Sequence, residues 1–341
     1  MQMRDDLGIT TKLENGKAYL EFALPEKIGR LLSALQIEIW EGAEGERLVF
    51  HGEYSSEEAD SMTALLLRPH LWDGMRDPYV YLVKEQGRFR SVEYGEKMGG
   101  MEKEEKLDPA EDITGEVEMY WRQELTIYDV RVVEKKGILL NEKEFLPHEV
   151  VYRLPPQISD AGTRVEQVRR DLERLVQMGV NVIRLEGTGT GAEGVNCSEV
   201  RTFYSLCRKR GFLTGDLWIR PENLPVYRGL PGETTCQALL AADGRTLTER
   251  YYYYQAKWSS EPVLYPVLST LHRQENGLLS LTIYSNQKKV VLYVDGVLFL
   301  FQSAASGDPE FIFEDIPVAK LPLHLAVEAG NLSISLTVSK I

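Results

Sequence analysis

The sequence predicts three folded pieces in series: a β-sandwich, a short α/β unit with parallel strands, and a second β-sandwich. Three observations carry this reading. Apolar residues alternate with polar ones from Lys17 to about Val133, the period lengthens to three or four residues after Gly137, and it returns to two beyond Trp258. A chain of 341 residues is long enough for two or three domains, each with its own core. The expected boundaries are 1–133, 134–258 and 259–341.

The bulk numbers bound the function. With 43% hydrophobic and 27% charged residues, the composition is that of an ordinary globular protein. Fifty-two acidic against 39 basic residues give a net charge of −13, which repels phosphate backbones and anionic membrane surfaces, so neither nucleic acid nor membrane is an expected partner. Cys197, Cys207 and Cys236 are odd in number and lack close metal-type spacing, and His51, His70, His148, His272 and His324 are scattered. No metal or cofactor is expected. The start, MQMRDDLGITTK, lacks the apolar run of a leader, and no later run reaches the roughly 18 apolar residues of a membrane helix. The chain reads as cytoplasmic.

The elements follow in order. Leu20, Phe22 and Leu24 alternate with Tyr19, Glu21 and Ala23, and Leu35, Ile37 and Ile39 with polar partners, which suits an immunoglobulin-like sandwich. The stretch MEKEEKLDPAEDITGE, 101–116, is too densely charged to order itself and reads as a mobile loop. In the middle piece, 149-EVVYR is a first strand. A helix follows with Thr163 and Glu166 as capping box, Val165, Val168, Leu172, Leu175 and Val176 on one face, and Gly179 as its left-handed stop. VNVIRLEG is a second strand, a second helix runs from about Ser198 to Gly211, and FLTGDLW is a third strand. Strand, helix, strand, helix, strand implies parallel pairing. Beyond Trp258, six short apolar runs from LLSLTIYSN to LSISLTVS read as strands, with Asp295-Gly296 as a tight hairpin turn.

The pieces and their order resemble glycoside hydrolase family two, the β-galactosidase and β-glucuronidase group. The segment 69-PHLWDGMRDPYVYLV is similar to the family's sandwich ending, and 137-GILLNEKEF to its Leu-Leu-Asn-Gly-Lys-Pro hairpin at the barrel entrance. The run 171-DLERLVQMGVNVIR resembles the stretch in which an Asp opens the helix and an Asn-x-x-Arg closes the strand. Further matches are 203-FYSLCRKRGF, 254-YQAKWSSEP and 290-VVLYVDG. The resemblance implies an immunoglobulin-like sandwich, a shortened unit derived from a TIM barrel, and a trailing sandwich. It also implies a truncated member, without the leading jelly roll and the catalytic half of the barrel.

That family cleaves glycosidic bonds with two carboxylates about 5 Å apart, one a proton donor and one a nucleophile. The resemblance places the donor in an Asn-Glu pair after the fourth strand and the nucleophile on the seventh. The 32 residues from 219 to 250 are too few to build those strands. The single Asn-Glu dipeptide, Asn141-Glu142, falls on the entrance hairpin. The family's polar set at the first strand falls on EVVYRL, its His after Arg184 is replaced by Gly187, and its Asp-Glu on the third strand becomes Asp216-Leu217.

Glu186 and Asp216, at the carboxyl ends of adjacent strands, are the remaining catalytic candidates, because α/β folds bind ligands along that edge. Their alternative is a pair of solvated strand-end charges, one of them held by Arg184. Arg184 and Trp218 are the candidate sugar contacts. Glu222 and Glu233 read as loop charges. Gly189, Gly191 and Gly194 spell GxGxxG with Asp216 further on, but too few strands follow for a doubly wound sheet, so they read as a loop rather than a dinucleotide cradle. Tyr251 to Tyr254 cannot share one helical face, so some are expected in the core and others against the neighbouring sandwich. Trp258 reads as a junction residue.

Three functions follow: a glycosidase-like protein of carbohydrate metabolism that binds sugar or acts as an accessory without hydrolysis, an active β-glycosidase using Glu186 and Asp216, and a structural subunit. A half-barrel leaves open edges, to be covered by residues 219–250, by a sandwich, or by a second copy or partner subunit.

Overall fold

The computed structural model of the protein describes residues 8–24, 29–58, 62–92, 113–155, 161–186, 197–215, 224–229, 238–304 and 307–340. They form two compact units, Met1–Phe145 and Leu146–Ile341.

The first unit is the expected sandwich. Its strands are β1 (Gly8–Glu14), β2 (Lys17–Ala23), β3 (Leu32–Glu41), β4 (Arg47–Ser55), β5 (Thr63–Leu67), β6 (Tyr81–Val92) and β7 (Ile113–Leu125). They pair antiparallel in the orders β1-β2-β5 and β4-β3-β6-β7. Period-two patterning fills the space between: Leu20 and Leu66 from one sheet meet Leu35, Ile37 and Val83 from the other. The charged stretch 101–116 needs a correction. Residues 101–112 lie outside the described residues, but Ile113–Glu116 open β7, where pairing with β6 satisfies their backbone. A small antiparallel sheet of β8 (Val130–Val133), β9 (Gly137–Leu140) and β10 (Lys143–Glu144) ends the unit. Asn141 and Glu142, both at positive φ, form its turn, and Asn141 Nδ2 donates to the Trp72 carbonyl at 2.8 Å. The Asn-Glu dipeptide is thus a turn, as its position in the hairpin predicts.

The second unit begins with the α/β piece. Its strands are β11 (Glu149–Tyr152), β12 (Val182–Leu185), β13 (Leu213–Thr214), β14 (Val226–Arg228) and β15 (Ala238–Leu240), all parallel, in the order β13-β12-β11-β14-β15. The helices are α1 (Ala161–Met178), α2 (Cys197–Lys209) and α3 (Glu249–Trp258). The three expected strands are present. The connection 219–250 adds β14 beside β11 and β15 beside β14.

The details of α1 differ from expectation. The helix begins at Ala161, so Thr163 sits inside the first turn rather than at the cap, and Glu166 faces Arg169 at 3.6 Å. Val176 is exposed, and Met178 takes the buried place beside Leu175. Asp171 does not open the helix. It stands midway along it, 1% exposed, on the same stripe as Val168, Leu172 and Leu175.

The tyrosines of α3 divide as their spacing requires. Tyr251 is buried in the α/β core, while Tyr252 stacks on Tyr265 at 3.8 Å and Tyr253 meets Tyr284 edge-on. Those two partners belong to the last piece, an antiparallel sandwich. One sheet holds β16 (Leu264–Arg273), β17 (Leu279–Ser285) and β20 (Glu310–Ile316). The other holds β18 (Lys289–Val294), β19 (Val297–Ser303), β21 (Leu323–Ala329) and β22 (Leu332–Val338), in the order β19-β18-β21-β22. Leu281, Ile283, Leu292, Phe313 and Leu325 fill the core between them. Asp295 and Gly296, at φ 48° and 78°, make the predicted hairpin turn.

Candidate functional site

The carboxyl edge of the parallel sheet is built from register. Tyr152 pairs with Leu185, so the next residues, Arg153 and Glu186, emerge side by side. Arg153 grips both oxygens of Glu186, through Nε to Oε2 and through Nη2 to Oε1 at 3.2 Å, and its Nη1 reaches the carbonyl of Arg228 at the end of β14 at 3.3 Å. One guanidinium therefore ties the ends of three strands together. The guanidinium on Glu186 is thus that of Arg153; of the two strand-end carboxylates of which one was expected on Arg184, the other, Asp216, lies outside the described residues. Side chains alternate along a strand, so Arg184 points to the sheet face opposite Ile183 and Leu185. Arg184 Nε instead donates to Glu149 Oε1 at 2.8 Å. Glu149 is 2% exposed, and it shares that face with Arg184 because its neighbour Val150 points to the helices.

Behind the sheet lies a second polar cluster. The carboxylate of Asp171 accepts hydrogen bonds from the hydroxyls of Tyr152 at 2.9 Å and Tyr227 at 3.1 Å, and from Arg228 Nη2 at 2.6 Å. Arg174 Nη1 stands 3.7 Å away. Burial, and then the negative charge of Asp171, raises both tyrosine hydroxyls well above their ordinary range, so they stay protonated donors. Sequence reasoning missed this cluster. Its one available signal was a charged residue on the apolar stripe of α1.

At the junction with the last sandwich, His148 stacks on Trp258 with ring centres 5.2 Å apart, and its Nδ1 lies 2.8 Å from the Gly179 carbonyl. Burial lowers the pKa of this imidazole. Trp258 thus takes the junction place expected of it, with Tyr254 on it at 4.5 Å.

Of the sequence candidates, Glu186 and Arg184 are placed as described. Asp216 and Trp218 lie outside the described residues, as do Glu222, Glu233 and the glycines of GxGxxG. Glu149, Asp171 and Glu186 each meet a guanidinium, an arrangement that fixes conformation and orients N–H donors. Among the described residues no cluster of His, Cys, Asp and Glu could hold a metal ion, and no helix is long and apolar enough to cross a membrane.

No family model matches the sequence, and no curated protein matches it. Solved structures do. An FMN-binding β-glucuronidase from Facaelibacterium prausnitzii L2-6 matches 98% of this chain over 73% of its own, at 14% identity and a TM-score of 0.62. A putative β-galactosidase from Bacteroides fragilis matches 97% over 72% of its own, also at 14% identity, with a TM-score of 0.63. A β-glycosidase from Bacteroides vulgatus matches 98% over 64% of its own, at 12% identity and a TM-score of 0.63. A glycosyl hydrolase family 2 member from Bacteroides cellulosilyticus is also similar, at 13% identity and a TM-score of 0.60. The fold of this chain is accordingly that of the family-two β-glucuronidases and β-galactosidases, over a shorter length.

Proposed function

We propose that this glycoside-hydrolase-like chain serves carbohydrate metabolism by binding a sugar, or by supporting a partner that does, without hydrolysing a glycosidic bond. One observation carries the reading. Between Thr214 and Glu249 the described residues supply two three-residue strands, β14 and β15, where the barrel chemistry requires strands that carry an acid and a nucleophile. The carboxylates at hand point the same way, since Glu186 is gripped by Arg153 and Glu149 by Arg184. In this reading the α/β unit descends from a TIM barrel, and Arg184 and Trp218 are its sugar contacts, the former oriented by Glu149. The buried thiol of Cys207 suits a reducing, cytoplasmic setting. A second copy or partner subunit belongs along the outer edge of β13, which no described strand covers; sedimentation equilibrium should then show a species heavier than 38.8 kDa.

The test is turnover of a panel of aryl β-glycosides by the purified chain, beside Glu186→Gln and Asp216→Asn. The expected result is a rate no higher than that of heat-inactivated protein. Turnover that disappears in either variant would establish the active enzyme instead. Melting with each sugar then separates binder from scaffold, because a ligand at a hundred times its Kd adds about 2.7 kcal/mol of stability.

A further inference from the structure

We infer that the chain carries an oxyanion site on the outer side of α1, built to hold a phosphate group. The inference does not rest on the sugar-binding reading. A cavity of about 290 Å³ opens between α1 and the loop after β15. That volume is close to the roughly 300 Å³ at which small-molecule sites begin. Arg170 and Arg174 are one turn apart on the same helical face, with Gln167 and Thr163 on the turns before them, and Arg245 faces them from the loop.

The charge count favours an anion. Four guanidinia, those of Arg170, Arg174, Arg245 and the adjoining Arg228, stand against the carboxylates of Asp171 and Asp243, a local surplus of two positive charges in a chain of net charge −13. Both carboxylates are already engaged. Asp171 holds Tyr152, Tyr227 and Arg228, while Asp243 accepts the amides of Arg245 and Thr246 at 2.8 and 2.9 Å and the Thr246 hydroxyl at 2.5 Å. Among the described residues, the guanidinia of Arg170 and Arg245 have no ion-pair partner.

Arg228 adjoins the cavity wall, with its Nη2 on Asp171 at 2.6 Å. Arg228 is 4% exposed, and its Nε has no hydrogen-bond partner among the described residues. Its Nη1 stands 2.6 Å from where a Cβ on Gly244 would sit, with Gln167 Nε2 at 3.1 Å, so a larger residue at this wall would crowd both donors. Donors that converge from a helix face and from a loop are not coplanar. A planar carboxylate is satisfied by one guanidinium fork, whereas a tetrahedral oxyanion uses donors from several directions.

The experiment is a titration of the full chain with inorganic phosphate, a hexose 6-phosphate and the neutral hexose, followed by melting temperature and calorimetry, with potassium chloride at matched ionic strength as reference. Phosphate is expected to raise the melting temperature saturably where the chloride does not. Arg170→Gln and Arg245→Gln, both at exposed positions, should melt like the parent without ligand and each weaken phosphate binding by about tenfold. A hexose phosphate that binds more tightly than inorganic phosphate identifies a phosphorylated sugar as the occupant; equal affinity identifies the free anion. The inference is overturned if chloride reproduces the phosphate effect, if the neutral hexose binds as well as its phosphate, or if both variants bind phosphate like the parent.

Discussion

Replacing Asp171 by Ala should be among the most damaging single substitutions in the second unit, and its cost follows from the partners left behind. The carboxylate is 1% exposed and receives the Tyr152 and Tyr227 hydroxyls and the Arg228 guanidinium, whose own exposures are 0%, 0% and 4%. Removing one member of a buried ion pair costs about 3–5 kcal/mol, because the survivor keeps its charge without a counter-ion. A buried hydroxyl left without an acceptor adds about 1 kcal/mol or more. A total of about 4–6 kcal/mol is therefore expected. At about 2–4 °C per kcal/mol for a unit of this size, the melting temperature should fall by about 8–24 °C. Urea unfolding followed by circular dichroism should show a lower midpoint with an unchanged slope. Adding Arg228→Met to Asp171→Ala removes the orphaned charge, so the double variant should recover part of the loss. A single-variant loss below about 1 kcal/mol, or a double variant no more stable than the single, would refute the argument that this carboxylate holds α1 to the sheet.

Other outcomes follow from the same geometry. Gly179, at φ +85°, would place an alanine Cβ 2.4 Å from the Trp258 carbonyl oxygen, so Gly179→Ala should cost about 2 kcal/mol or more in urea unfolding, the left-handed strain alone supplying about 1. The depressed pKa of His148 means that the unfolded chain takes up a proton near pH 6.5 while the folded chain resists it. The stability present above that pH is lost as pH falls through the interval below it, and His148→Gln should flatten this part of the stability–pH curve. Glu186→Gln breaks a pair whose carboxylate is 45% exposed and should change stability by about 1 kcal/mol or less, which makes it a clean probe for the turnover assay. Strand β19 is a sheet edge with Val297, Leu298 and Phe301 more than half exposed, so Leu298→Lys should lower concentration-dependent light scattering at unchanged melting temperature.

What could be read from the sequence was whatever repeats with a period. The sandwich strands, the helices α1 and α2 and the hairpins at Asn141 and Asp295 each rest on alternation, an amphipathic stripe or a left-handed turn, all local properties. Strand β16 escaped because Pro266 interrupts its pattern, and the structure puts that proline where it is tolerated, on the edge of a three-stranded sheet. Strands β14 and β15 escaped because three residues are too few to display any period, and they lie in a connection rich in proline and glycine. The candidate site was half legible for the same reason. That Glu186 ends a strand is local information, but that Arg153 holds it depends on which residue of the neighbouring strand follows the last ladder pair.

The charged residues of the α/β unit therefore divide by distance from the helices. Arg153 and Glu186 lie past the ladder at the carboxyl edge, Glu149 and Arg184 on the face away from the helices, and Asp171 with Arg228 on the helix side. In each place an acid faces a guanidinium rather than a second acid. Glycosidic chemistry needs the opposite arrangement, two carboxyl groups across a gap with one of them free to give up a proton. Neutralising a carboxylate with an arginine serves stability and donor orientation, since it sets the hydrogen-bonding face of the guanidinium. The same choice repeated at three sites ties the parallel strands to one another and to α1, and it is the arrangement on which the proposed reading without hydrolysis rests.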